Sequence, residues 1–203
     1  MITVGLTGGI GSGKSTVAQI LSGSEFGAPI LDADKVAHTT YAPGGPAYDA
    51  VIAAFGAQVL APDRTIDRKK LGAVVFGNPE QLNKLTSIVW PATFDGIRRS
   101  VAELRARGAK LPIIVEAAIL IEANWQPLFD EIWLVRAPRE QVVARIEIQR
   151  GLKPAETEAR IRAQLSDEDR AKHATLVIEN NGSIEELRDL LKTLWAEALK
   201  RNG

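Results

Sequence analysis

Residues 8–15 read Gly8-Gly9-Ile10-Gly11-Ser12-Gly13-Lys14-Ser15, which fits the spacing G-x-x-x-x-G-K-[ST] with no substitution. The chemistry this arrangement serves is the binding of a nucleotide's phosphates. Glycines let the backbone curl until successive N–H groups converge on phosphate oxygens, and the helix that follows adds the positive end of its dipole. Lys14 is placed to reach the β- and γ-phosphates, and the Ser15 hydroxyl to ligate magnesium. The context the motif requires is present. Ile2 to Leu6 is a short apolar run that reads as a buried parallel strand, and Ser15 to Leu21 reads as a helix packed through Val17, Ala18, Ile20 and Leu21.

A second chemistry-bearing group follows Ala28 to Leu31, another short strand. Asp32 and Asp34 stand at its carboxyl end, where ligands bind in open α/β sheets. In an extended segment residues two apart project to the same side, so both carboxylates could face the phosphate loop. A kinase acting on an alcohol needs a group that orients the hydroxyl and takes its proton. One carboxylate could do this while the other helps hold hydrated magnesium. Equally, the two could be turn or N-cap aspartates opening the helix that contains Val36. Phosphate binding by itself leaves GTPases, ATPase motors and small-molecule kinases open, because all share this loop.

The remaining elements must position these groups. Tyr48 to Arg107 is mostly helical, with interruptions at Pro62-Asp63, Asn78-Pro79 and Trp90-Pro91. It reads as a helical insertion over about 48–107, where a kinase of this type would seat its acceptor. Leu111 to Val115 is a third strand and Glu131 to Val135 a fourth. A helix then runs from near Pro138 to about Arg150, Gly151 to Pro154 breaks it, and a highly charged helix continues to about Lys172. Thr175 to Ile178 is the last strand, Asn180-Asn181-Gly182 a turn, and Ser183 caps the terminal helix in a capping box with Glu186. Strands alternating with helices predict an α/β fold, a parallel sheet covered by helices on both faces, within a single domain spanning 1–203.

Bulk properties narrow the function classes. The chain has no cysteine, which excludes disulfides, thiolate metal sites and a cysteine nucleophile. Acidic and basic residues balance at 25 each, without the basic excess expected of a nucleic-acid binder. No apolar stretch is long enough to span a membrane, and the opening residues lack a signal-peptide layout. The expectation is a soluble cytoplasmic protein, monomeric by default, that meets neither nucleic acid nor membrane.

The run Leu6-Thr7-Gly8-Gly9-Ile10-Gly11-Ser12-Gly13-Lys14-Ser15-Thr16, followed by Asp32-Ala33-Asp34, resembles the dephospho-coenzyme A kinase family. Pro43-Gly44-Gly45-Pro46-Ala47, Ile66-Asp67-Arg68 with Leu71 and Phe76, the stretch from Asp130 to Arg145, Gln149-Arg150, Gln164, and Ile178-Glu179-Asn180-Asn181-Gly182 match its later segments in order. The resemblance implies a P-loop kinase that uses ATP and Mg2+ to phosphorylate the ribose 3′-hydroxyl of dephospho-coenzyme A. It implies a helical substrate-binding region and a lid over about 145–172. It also implies a nucleotide site built from Gly8, Gly9, Gly11, Ser12, Gly13, Lys14, Ser15 and Thr16, with Asn180 and Asn181 near the adenine. By that resemblance Asp34 is the implied base and Arg145 and Arg150 act in or near the lid; from the residues themselves Lys14 joins them in transfer, and Asp32, Asp34 and Arg68 are expected to meet the acceptor. Trp90 stands where the family usually has histidine, Ala118 where it usually has proline, and His38 where it often has arginine.

Outside that resemblance the residues have ordinary readings. Arg139, Arg145, Arg150, Arg160, Arg162 and Arg170 fall in one helical region and could simply pair with its acids on a solvated face. His38 and His173 form no pair by spacing. Trp125, Trp133 and Trp195 sit in apolar patterns suited to a core. Arg68, Lys69 and Lys70 could meet an acceptor's phosphates or merely open a charged helix. The alternatives are a nucleoside or nucleotide kinase on the same core, and a non-catalytic nucleotide-binding regulator. The chain contains no Asn-Lys-x-Asp base-reading motif, which speaks against a GTPase switch.

Overall fold

A computed structural model describes residues 1–201 of the chain. Its sheet follows from five short apolar runs: β1 (Thr3–Thr7), β2 (Ile30–Asp32), β3 (Ile113–Glu116), β4 (Glu131–Arg136) and β5 (Leu176–Glu179). The order is β2-β3-β1-β4-β5, with parallel pairings of β1 to β3, β1 to β4 and β4 to β5. Val4 lies opposite Ile114 on one side and Glu131 on the other, which puts β1 at the centre. All five residues of β1 are buried, as expected of a parallel strand covered on both faces.

The period of two along each strand divides the core. Val4 and Leu6, Ile114, Trp133 and Val135, and Ile178 join Val17 and Leu21 of α1 (Lys14–Ser22) and Leu187, Leu191 and Trp195 of α9 (Ile184–Arg201). The opposite face is so close that a methyl group on Gly5 would meet Leu120 Cδ1 at 2.4 Å. Trp125, Trp133 and Trp195 are all buried, in keeping with their apolar patterns. The capping box at the start of α9 is present: Ser183 N–H donates to Glu186 Oε2 at 2.7 Å and Glu186 N–H to Ser183 Oγ at 3.2 Å.

The chain divides into two compact units, 1–31 with 103–203 and 32–102. The second unit carries α2 (Ala33–Thr40), α3 (Tyr48–Phe55), α4 (Arg68–Val75) and most of α5 (Pro79–Ala106). Its core gathers Val51, Phe55, Val59, Leu71, Val75 and Val89. Asp67 caps α4 by accepting from the N–H groups of Lys69 and Lys70.

Two readings of the sequence need correction. Trp90-Pro91 does not interrupt a helix; α5 runs through it. A proline inside a helix costs about 3 kcal/mol. Here Val89, Ile97 and Val101 are buried along one stripe, and each such burial contributes about 1.5–3 kcal/mol, enough to carry the helix across the lost hydrogen bond. The charged segment after Pro154 is two helices, α7 (Pro154–Arg162) and α8 (Asp167–Ala171). Ser166 ends the first run by capping the second, its Oγ accepting from Asp169 N–H at 3.0 Å.

Candidate active site

The loop from Gly8 to Gly13 joins β1 to α1, so it leaves the middle of the sheet at the carboxyl ends of the strands. Gly8 and Gly13 have φ values of 151° and 101°, which side chains rarely adopt. The surroundings also exclude a Cβ: at Gly8 it would lie 2.2 Å from Val135 O, and at Gly13 2.1 Å from Asn180 Nδ2. Lys14 folds back over the loop and donates to Gly8 O at 2.9 Å and Gly9 O at 3.1 Å. Thr16 follows, half-buried in the first turn of α1.

Ser15 Oγ donates to Glu116 Oε1 at 2.7 Å. Glu116 closes β3, one residue beyond the strand end expected from the apolar run, and the sequence reading gave it no role. Two hard oxygen donors side by side at the start of α1 suit magnesium, which takes one or two protein oxygens and completes its shell with phosphate and water. Among the described residues no group of three or more His, Cys, Asp or Glu side chains could hold a metal on its own.

Asn180 and Arg145 sit behind the loop. Asn180 Nδ2 donates to Ser12 O at 2.8 Å, and Arg145 Nη2 donates to Asn180 O at 3.2 Å and Gln141 Oε1 at 3.0 Å. Gln141 Nε2 in turn donates to Asn181 O at 3.0 Å. The turn after β5 is thereby tied to both the loop and α6 (Arg139–Arg150). Arg150 occupies the last turn of α6 with its side chain exposed, before Gly151 ends the helix.

Residues between α7 and α8 cover the other flank of the loop. Gln164 Oε1 accepts from Ile10 N–H at 2.8 Å. Asp167 and Gln164 line a cavity of about 590 Å³ together with Gly9, Ile10, Arg136 and Arg139. Burial pushes the Asp167 carboxyl up, against the pull of Arg170, Arg136 and Lys14, while Glu168 adds to the rise. Arg170 is fully buried, not on a solvated face. Its guanidinium donates to Leu165 O, Ala118 O and Glu122 Oε1. Arg139 and Arg162 do pair within the region, both with Glu158.

Asp32, Asp34, His38 and Arg68 belong to the second unit. Asp32 ends β2 with an extended backbone and is the N-cap of α2, the second of the two readings the sequence allowed, accepting from Asp34 N–H at 3.0 Å and Lys35 N–H at 3.1 Å. Asp34 therefore lies in a helical turn, and the two side chains do not share the alternation of a strand. Asp34 is exposed, and Asp34 and His38 fall on one face of α2, four residues apart. Burial lowers the His38 pKa, Arg68 lowers it further, and Asp34 and Asp32 oppose the shift. Arg68 is exposed at the first position of α4.

A phosphate loop alone is shared by many kinases, but the rest of the chain is specific. The dephospho-CoA kinase family model matches residues 2–186. The chain belongs to the dephospho-CoA kinase family. It is 43% identical over 202 residues to the dephospho-CoA kinase of Geobacter metallireducens, covering 100% of this chain and 99% of that one. The crystal structure of TT1252 from Thermus thermophilus superposes with a TM-score of 0.77 at 37% identity, covering 97% of both chains. A dephospho-CoA kinase from Campylobacter jejuni gives a TM-score of 0.74 at 25% identity, covering 99% of this chain and 98% of that one. The P-loop kinase fold of this family is the parallel sheet described above. No described helix is long and apolar enough to cross a membrane.

Proposed function

We propose that this member of the dephospho-CoA kinase family transfers the γ-phosphoryl group of ATP to the ribose 3′-hydroxyl of dephospho-coenzyme A, giving coenzyme A and ADP. The observation that carries the reading is an intact phosphate loop, with Lys14 over it and Ser15 paired to Glu116, in a chain that matches the family along its length. The oxygen of the acceptor hydroxyl attacks the γ-phosphorus, the bond to the β,γ-bridging oxygen breaks, and the hydroxyl proton passes to Asp34. Loop N–H groups and Lys14 offset the charge that builds on the phosphate oxygens.

Ser15 and Glu116 would hold Mg2+, which would supply positive charge against that of the nucleotide's phosphates. Asn180, Asn181 and Arg145 form the base of the adenine site, and Arg150 closes toward the phosphates from the end of α6. The stretch over about 145–172 serves as the lid and the helices over about 48–107 seat the acceptor. Asp32 keeps α2 in place beneath Asp34, and Arg68 meets an acceptor phosphate. The protein acts as a cytoplasmic monomer.

The test is a coupled ADP-release assay with magnesium-ATP, adding dephospho-coenzyme A and then a panel of nucleosides and nucleotides. ADP formation that depends on dephospho-coenzyme A, with coenzyme A as product, is the expected result. Turnover only with a nucleoside or nucleotide would overturn the acceptor and leave the phosphate-loop assignment standing.

A further inference from the structure

The loop N–H groups are the instrument of phosphate binding, yet one of them, at Ile10, is held by a side chain from 154 residues away. Gln164 supplies that acceptor from the four-residue connection, 163–166, between α7 and α8, and Gln164 Oε1 also lies 3.6 Å from where a Cβ on Gly9 would be. A short polar connection has little to fix it by itself. Its anchor is Arg170, whose side chain is 0% exposed. Arg170 Nε donates to Leu165 O at 3.2 Å, the residue next to Gln164. The other two guanidinium nitrogens reach the segment after β3: Nη1 donates to Ala118 O at 2.9 Å and Nη2 to Glu122 Oε1 at 2.6 Å. That segment is itself fixed to β1, because Ala117 N–H donates to Leu6 O at 2.9 Å and Thr7 Oγ1 to Ala118 O at 3.4 Å.

We infer that Gln164 is a positioning residue of the donor site, which holds the Gly9–Ile10 arc of the phosphate loop in its binding shape, and that Arg170 acts through it. The chemistry favours an amide at this point. A neutral acceptor satisfies the Ile10 N–H without bringing a second negative charge toward the phosphates, whereas a carboxylate there would repel them. The guanidinium is equally specific, since three acceptors on two segments call for a planar fork of donors, and a lysine ammonium spans fewer of them. The buried charge is compensated by Glu122 and two carbonyls, so removing the fork takes the guanidinium donors from Leu165 O and Glu122, leaves Ala118 O with Thr7 alone, and loosens the connection.

The experiment is equilibrium titration with magnesium-AMPPNP, a non-hydrolysable ATP analogue, without acceptor. A parallel titration uses dephospho-coenzyme A alone. A net hydrogen bond is worth about 1 kcal/mol, so Gln164→Leu is expected to raise the Kd for the nucleotide about fivefold. Binding of dephospho-coenzyme A should be unchanged. Arg170→Met should weaken the nucleotide similarly, Arg170→Lys by less, and the Gln164→Leu, Arg170→Met double variant no more than the worse single one. If Arg170→Met does not fold, the Arg170→Lys cycle with Gln164→Leu carries the same comparison. A Kd for Gln164→Leu within twofold of the parent, multiplying effects in the cycle, or equal losses for both ligands would overturn the inference. The inference rests on the donor half of the proposed function. Failure of the parent to phosphorylate dephospho-coenzyme A would overturn the acceptor and leave the nucleotide titration to be read on its own.

Discussion

Ser15 Oγ and Glu116 Oε1 lie 2.7 Å apart, joining the first turn of the helix after the phosphate loop to the end of a strand 101 positions later. The hydroxyl is thereby aimed by a carboxylate before any ligand arrives. Hydrogen bonds to charged groups are worth about 1.5–3 kcal/mol. Glu116→Gln is therefore expected to lower turnover at limiting Mg2+ by about ten- to a hundredfold, with part of the loss recovered at high Mg2+. Rates measured across a Mg2+ series check this, and a curve superimposable on that of the parent would remove Glu116 from the metal site.

Asp34 stands exposed in the first turn of α2, with the capping of that turn left to Asp32. Because Asp34 does not hold the helix end, its replacement should leave the fold intact. We predict that Asp34→Asn retains ATP binding within about twofold while turnover falls by about 10²–10⁴, the range of general base catalysis. Asp32→Asn keeps a capping side chain and should lose much less. Comparable turnover in Asp34→Asn and the parent would rule out Asp34 as the base.

Arg150 projects from the last turn of α6, ahead of the break at Gly151. In the proposed lid, contacts made only on closure strengthen in the transition state and show in turnover more than in binding. The expected outcome for Arg150→Ala is a loss of about tenfold or more in kcat with a smaller change in ATP affinity. Steady-state kinetics with an unaltered kcat would place the contact on another arginine.

Asp167 carries a carboxyl that burial pushes above its ordinary value of 3.8. The folded state thus binds this proton more tightly than the unfolded chain does, and stability attributable to the group falls as pH rises through the interval above 3.8. At neutral pH the ionised group is a net cost in the fold. Asp167→Asn is expected to raise Tm at pH 7, with the gain shrinking as pH drops toward the ordinary aspartate range. Thermal melts of both proteins over pH 4–7 provide the measurement, and a gain that grows on acidification would contradict the sign.

The phosphate loop was fully legible because its function is written in adjacent residues. Strands and the Ser183 cap were legible for a similar reason, since periodicity and local hydrogen bonding decide them. Glu116 was not, because its value comes from the lateral pairing of β3 with β1, which brings Glu116 opposite Leu6. Arg170 looked like one more charge on a polar helix, and only a partner 48 positions earlier makes it a buried ion pair. Pro91 misled in the opposite direction: a local rule said break, and the buried stripe on both sides of it prevailed. Asp32 and Asp34 allowed two readings, an extended pair or aspartates opening a helix, and the second holds: Asp32 ends β2 and caps α2, which leaves Asp34 as the available side chain.

The order of strands also bears on how the protein is made. β1 leaves the ribosome first, yet its two neighbours begin at Ile113 and Glu131, so an apolar central strand waits for more than half the chain before it can be paired. At about 5–20 residues per second that is an interval of roughly 5–25 s, during which the strand's hydrogen-bonding edges are open to other chains. The contacts that hold the nucleotide loop wait longer still, because Gly8 packs on Val135 and Gly13 on Asn180. Stabilisation by nucleotide is therefore expected only once the chain through Asn180 has been synthesised, too late to protect β1 during that interval.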